Sequence, residues 1–251
     1  MKYALLTLGL GLALSAQAQT EGSITYTDTR KLTLNFGGDM PEEMLAQIPK
    51  ERSVTRELLF TESAALYRNA PKSDDTPQNI SHSGGDVEVE IKMVEPENVV
   101  YRDLTNADMV EQREWMGQRF LVMGKAEQAW KVTTEQKMVQ GYPCLKATTV
   151  VDSTEVVAWF TAQIPISIGP ANYGGLPGAI LEVNEDDGQR VLTASAIKLG
   201  PVEEEFKRPR GGKKMSREEF QDFQEEKIAE MREMNGGQGG GGVFIIREGG
   251  E

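Results

Sequence analysis

From Ile24 to Leu199 the chain breaks every eight to twelve residues: short segments rich in Val, Ile, Thr and aromatics alternate with clusters of Gly, Pro, Asn and Asp. That rhythm allows antiparallel strands joined by tight turns, and it leaves no room for the crossover helices of a parallel α/β sheet. Asp86 to Val94 is the clearest segment. Val87, Val89, Ile91 and Met93 alternate with Glu88, Glu90 and Lys92, the period of a strand with one wet face. Trp130 to Val139 repeats the pattern. Asp152-Ser153-Thr154 and Asp186-Asp187-Gly188 separate apolar runs as hairpin turns do. One short helix is predicted over Pro41 to Ile48, from a proline in the first turn followed by Glu42 and Glu43.

The character changes after Pro201. Residues 201–215 form a linker in which Lys207, Arg208, Arg210, Lys213 and Lys214 crowd together. Ser216 and Glu219 then make a capping box that opens a helix over 216–234, with Phe220, Phe223, Ile228, Met231 and Met234 roughly on one stripe. The last stretch, 235–251, is glycine-rich up to Gly242 and too flexible for regular structure. It tethers Val243-Phe244-Ile245-Ile246, a β-forming run suited to adding to a sheet edge, of this protein or of a partner.

The N-terminus bears one charge, Lys2, then an apolar run from Ala4 to Leu14 and Ala16-Gln17-Ala18. That run is too short to span a bilayer and has the layout of a secretory signal peptide, 1–18, cleaved after Ala18. A β-rich domain over 19–200 is expected to follow, periplasmic or secreted. Lipidation is not expected, because the single cysteine, Cys144, is far from the cleavage site, and no later stretch has the length of a membrane span. One cysteine cannot form an internal disulfide, so the apolar core must hold the fold. The formal charge of −12 argues against nucleic acid as a partner.

Tyr173-Gly174-Gly175-Leu176-Pro177-Gly178-Ala179-Ile180-Leu181-Glu182-Val183 is the most distinctive stretch. Pro177 and Gly178 occupy the central positions of a predicted type II turn from Leu176 to Ala179, and a strand follows. This stretch resembles the signature of the GLPGLI family, with Ala179 where that family usually has Leu. The resemblance extends to Gly141-Tyr142-Pro143-Cys144-Leu145-Lys146-Ala147, Ala158-Trp159-Phe160-Thr161, Ile164-Pro165, Gly169-Pro170 and Arg217-Glu218-Glu219-Phe220. It implies a secreted or periplasmic protein, chiefly of Bacteroidota, with no established activity and no catalytic residues to carry over. By analogy it also implies a curved sheet. The expected fold is therefore mainly β: a curved antiparallel meander or incomplete barrel of about ten to twelve strands, with a C-terminal amphipathic helix.

Residue chemistry restricts activity further. His82, the single histidine, lies in text that reads as a polar loop, and Cys144 reads as a small buried hydrophobe, so neither makes a well-placed nucleophile system. One His and one Cys cannot build a zinc site. Asn184-Glu185-Asp186-Asp187-Gly188 lacks calcium-loop spacing and reads as a turn. Met231 and Met234 alone make a poor copper(I) site. Asp152-Ser153-Thr154 resembles a short O-glycosylation acceptor but is explained as a turn. The basic run Lys207 to Lys214 fits either a solvated linker or a dock for anionic surfaces. No cofactor is expected. The favoured function is a noncatalytic binding or assembly module for a hydrophobic ligand or an envelope protein, using the turn Tyr173, Gly174, Gly175, Leu176, Pro177 and Gly178 and the tail Val243, Phe244, Ile245 and Ile246. A carboxylate-dependent hydrolase and a purely structural envelope protein are the alternatives.

Overall fold

The computed structural model describes residues 20–32, 49–71, 79–84, 87–92, 98–125, 128–203 and 206–235. The predicted leader, the helix at Pro41–Ile48 and the tail run Val243–Ile246 lie outside these residues. The strands are β1 (Gly22–Lys31), β2 (Glu51–Phe60), β3 (Ala64–Asn69), β4 (Asn79–Gly84), β5 (Val87–Lys92), β6 (Asn98–Asp103) and β7 (Asp108–Trp115). They continue as β8 (Gln118–Lys125), β9 (Lys131–Val139), β10 (Tyr142–Val151), β11 (Thr154–Thr161), β12 (Ala179–Glu185), β13 (Arg190–Leu199) and β14 (Lys213–Ser216). One helix, α1 (Arg217–Asn235), follows β14 directly.

Twelve strands form one curved sheet that does not close, in the order β14-β8-β7-β6-β3-β2-β1-β13-β12-β11-β10-β9. It is two meanders sharing a seam. One runs outward from β1 to β8, the other runs inward from β9 to β13, and β1 pairs with β13 to join them. No helix among the described residues is long and apolar enough to cross a membrane.

Alternation explains the strands. In β1, Ile24, Tyr26 and Asp28 are buried while the residues between them are half-exposed. Opposed residues share a face, so Ile24, Leu58, Tyr67, Val100, Glu111 and Val122 make one inward row across six strands. A second row runs from Asp28 through Leu192, Val183, Ala158 and Ala147 to Val132. The Asp152-Ser153 hairpin is formed as its sequence predicts, with both residues at positive φ (49° and 67°) between Val151 and Thr154.

Three expectations need correction. The sheet is mixed, because β14 lies parallel to β8, Lys213 opposite Phe120 and Ser216 opposite Met123. The chain leaves β13 in the middle of the sheet and crosses through 200–212 to its far end, and such a crossover delivers a strand in parallel. Residues 213–215, expected to be linker, and Ser216, expected to open the helix, are thus strand; the lysines that made the segment look solvated are those an edge strand tolerates. Third, His82 lies not in a loop but in β4, opposite Val89 in a separate two-stranded sheet with β5. The strongly alternating β5 supplies the ladder, and the weakly patterned β4 follows it.

The helix matches its sequence signal. Ser216 N–H donates to Glu219 Oε2 (2.7 Å) and Glu219 N–H donates to Ser216 Oγ (3.1 Å), so the capping box is complete. Phe220 and Phe223 pack on Phe120, ring centroids 5.1 and 5.4 Å apart, and Phe223 also meets Trp115 at 5.7 Å. Phe120, Val122 and Phe220 form a small core apart from the main one.

Candidate functional site

Residues 162–178 between β11 and β12 hold the distinctive motif, and they fold inward. Ile164, Ile166 and Ile168 are buried while Pro165 and Ser167 are exposed. Backbone bonds from Ile166 to Ile164 and from Ile168 to Ile166, both 2.8 Å, pleat the segment tightly. It pairs with the start of β12 through Ala179 N–H to Ile164 O (3.0 Å) and Ile180 N–H to Ile168 O (2.8 Å). Tyr173, Gly174, Leu176 and Gly178 are buried, whereas Gly175 and Pro177 reach solvent.

The turn is not type II. Gly178 N–H donates to Leu176 O (2.8 Å), a three-residue turn about Pro177, and Ala179 N–H goes to Ile164 instead of closing a four-residue turn. Gly178 has φ 150°, and a Cβ there would sit 2.1 Å from Thr161 O. Close backbone contact, more than turn chemistry, demands glycine.

Side chains from both meanders hold this loop over the inner face. Arg102 Nη2 donates to Gly169 O (3.1 Å) and Ala171 O (2.5 Å), and Tyr26 OH donates to Ile180 O (2.6 Å). Trp130 Nε1 donates to Gly174 O (2.7 Å); Gln128 donates to Asn172 O (3.0 Å) and accepts from Gly174 N–H (3.1 Å). With its amide oriented to satisfy its neighbours, Asn172 accepts from both Nη atoms of Arg217, at 3.0 and 3.1 Å. The motif therefore ties the start of β9 to the start of α1.

Beneath the loop lies a buried ionic cluster. Arg190 is bidentate on Asp28 (Nε to Oδ1 3.0 Å, Nη2 to Oδ2 2.7 Å) and also donates to Glu185 Oε1 (3.0 Å), which accepts from Tyr173 OH (2.9 Å). Burial pushes the Asp28 carboxyl up, but Arg190, aided by Arg30 and Arg56, more than reverses this and holds it at about 2. Burial, with Glu185 adding to it, raises the Tyr173 phenol well above its ordinary range. Burial lowers the Arg102 guanidinium to about 10, leaving it a cation at neutral pH. Two carboxylates do meet beside the motif, yet both are fixed on one guanidinium, and Asp28 is held ionised, the opposite of the raised pKa a general acid requires. Chemically the cluster is a clamp across the seam between the meanders. Sequence reading missed it because Asp28 and Arg190 lie 162 residues apart in the chain; the one visible trace is an acid on the apolar face of β1.

Two further sequence candidates are accounted for locally. Asn184 Oδ1 accepts from Gly188 N–H (2.7 Å), closing the predicted β12–β13 turn. Cys144 is buried, and burial pushes its thiol up to about 11, the behaviour of an inert core thiol.

The other site is the free edge of the sheet. β9 ends the strand order, with Val132 opposite Ala147, Gln136 opposite Leu145 and Met138 opposite Pro143. Val132, where the inner apolar row from Leu192 ends, is 47% exposed, and Met138, beside the exposed Pro143, is 64% exposed, while Val139 on the other face is buried. On the outer side Lys137 is occupied, with Nζ 2.6 Å from Glu182 Oε1 and 4.5 Å above the Trp159 ring. One backbone edge of β9 has no strand beside it among the described residues.

Comparison with known proteins bears on the fold and little else. No curated protein matches the chain. Two crystal forms of PNGF-II, in space groups P21 and C2, are similar in fold, with TM-scores of 0.52 and 0.51 at 16% and 17% sequence identity. They match 81% and 80% of this chain, which spans 32% of theirs. A family model described as a protein of unknown function, Porph_ging, matches residues 149–182, the stretch from the end of β10 through the motif loop into β12.

Proposed function

We propose that this protein is a noncatalytic binding module of the cell envelope, secreted through a cleaved leader, whose β9 edge takes up an extended segment of an envelope protein. The carrying observation is that edge itself: Val132, the end of the inner apolar row, and Met138 are exposed beside a backbone ladder that has no strand next to it among the described residues. Strand addition supplies both the missing hydrogen bonds and a cover for those side chains. A protein segment is favoured over a hydrophobic ligand in the hollow of the sheet, because Ile164, Ile168, Tyr173 and Leu176 already fill the inner face. The GLPGLI-like motif then has a supporting role: through Trp130 and Gln128 it fixes where β9 begins.

The test is recovery of partners from solubilised envelope on the intact chain and on Val132→Lys/Met138→Lys, with hydrogen exchange of the β9 amides read in each complex. The reading expects a protein captured by the intact chain, lost by at least ten-fold with the lysine pair, and slowing exchange along β9. Equal capture by both, or enrichment of lipid without protein, overturns it.

A further inference from the structure

The inner face of the first meander carries a second buried polar group, apart from the clamp at the seam. Val100 in β6 stands opposite Tyr67 on one side and Glu111 on the other, and Asn98 and Arg102 flank it along the strand. Directly opposed residues share a face, as do alternate residues of one strand, so the four surround Val100. Val100 is short, and its neighbours are long and polar. Each neighbour keeps one buried polar atom without a hydrogen-bond partner among the described residues: Tyr67 OH, Arg102 Nη1, Glu111 Oε2 and Asn98 Oδ1.

Three of these side chains are engaged through their other polar atoms. Arg102 Nη2 holds the Gly169 and Ala171 carbonyls of the motif loop, while Glu111 Oε1 accepts from Arg113 Nε (2.7 Å) and Asn98 Nδ2 (3.2 Å). Arg102 and Glu111 are diagonal neighbours on adjacent strands, a placement that sets Cβ atoms about 7 Å apart. Burial lowers the guanidinium to about 10, with Glu111 among the groups opposing that loss. Burial likewise works against the carboxylate, and Arg113, with Arg217 and Asn98, more than restores it. Both are therefore ions at neutral pH, at 2% and 3% exposure, yet Glu111 pairs with Arg113 and not with Arg102.

Chemistry selects what can lie between them. A cation there would meet Arg102, an anion would meet Glu111, and an apolar group would leave all four atoms unsatisfied. What fits is neutral and both donates and accepts. Arg102 Nη1 and Tyr67 OH offer protons and Glu111 Oε2 and Asn98 Oδ1 accept them, the complement of the two lone pairs and two protons of one water. The setting is closed, since all four atoms are buried and Arg102 holds the motif loop, so the guest is small. Buried polar groups out of reach of a protein partner are commonly satisfied by internal water.

We infer that an ordered water sits above Val100 and bridges Arg102 to Glu111, with Tyr67 and Asn98 completing its hydrogen bonds. It carries the hold on the motif loop from Arg102 across to β7.

A high-resolution crystal structure of the full chain tests this without any substitution. Expected is one water within about 3.2 Å of Arg102 Nη1, of Glu111 Oε2 and of at least one of Tyr67 OH and Asn98 Oδ1. An ion at that place, a direct Arg102–Glu111 pair, or no water touching both charges overturns the inference. Tyr67→Phe adds a solution readout, because it removes the hydroxyl and keeps the ring. A hydroxyl bound to water is missed, so the urea midpoint of the variant is expected to fall. A hydroxyl with no partner is better removed, so an unchanged or higher midpoint overturns the bridge.

Discussion

The two ends of the sheet solve one problem in opposite ways. At one end, β14 covers Phe120–Met123 of β8 with four residues, carries Lys213 and Lys214 on opposite faces, and passes straight into α1, whose phenylalanines seal Phe120 and Trp115. At the other, β9 offers nine residues with Val132 and Met138 exposed and no cover among the described residues. Unpaired strand edges invite association, and proteins blunt them with short strands, lysines and covering elements. Every one of those devices is present at β14. β9 keeps charged residues too, but Lys137 is drawn to Glu182 and Trp159 on the outer face, which leaves the apolar side of the edge unguarded.

If the guarded end is structural, removing its seal should be costly. Phe220→Ala is expected to cost about 3–5 kcal/mol in urea unfolding, the range for a buried phenylalanine, and to raise light scattering as Phe120 is uncovered; a loss below about 1 kcal/mol would mean the helix is ornamental. Asp28→Asn serves as a control remote from both ends. Breaking its buried pair with Arg190 is expected to cost about 3–5 kcal/mol without changing partner capture per folded molecule. It also carries a pH signature. Asp28 titrates at about 2 in the folded chain, below its ordinary value, so its contribution is present above about pH 4 and lost as pH falls toward 2. Unfolding measured between pH 2 and 5 should show a shallower acid decline in the variant.

The guarded end can also be loosened gently. Ser216→Ala removes one bond of the capping box and is expected to cost about 1 kcal/mol, with faster exchange of the first α1 amides. Smallest of all in stability is Met138→Lys at the open end, expected within about 0.5 kcal/mol of the parent because the side chain is exposed. Its effect should appear in association alone. A large stability loss there would show that Met138 is a packing residue and that the contrast between the two ends is false.

The antiparallel strands, the Asp152-Ser153 hairpin and the Ser216–Glu219 cap were legible in the sequence, because each depends on neighbours in the chain; the buried face expected of β9 was not borne out, since Val132 and Met138 are exposed. What depends on distant partners was not. β14 hid behind its lysines, β4 took its form from β5, and the Asp28–Arg190–Glu185 clamp is assembled from three strands with no local signature. The motif was recognisable and its role was not: Pro177-Gly178 suggests a type II turn, whereas Gly178 is demanded by its close approach to Thr161 O. Exposure of β9 was equally unreadable, since its alternating residues look the same whether or not a neighbour lies beside them.

The seam has a kinetic consequence. β1 stands in the centre of the sheet, yet Arg190, which clamps Asp28, comes 162 residues later, and Ile180, which accepts from Tyr26, comes 154 later. Hairpins such as β7–β8 and β10–β11 can form within microseconds from adjacent residues, while joining β1 to β13 must await closure of most of the chain. For a chain emerging N-terminus first, β1 waits for its second neighbour until β13 is made, and among the described strands only β8, which awaits β14, waits longer. The ion pair across the seam is then a late stitch, and folding intermediates that lack it expose the middle of the sheet.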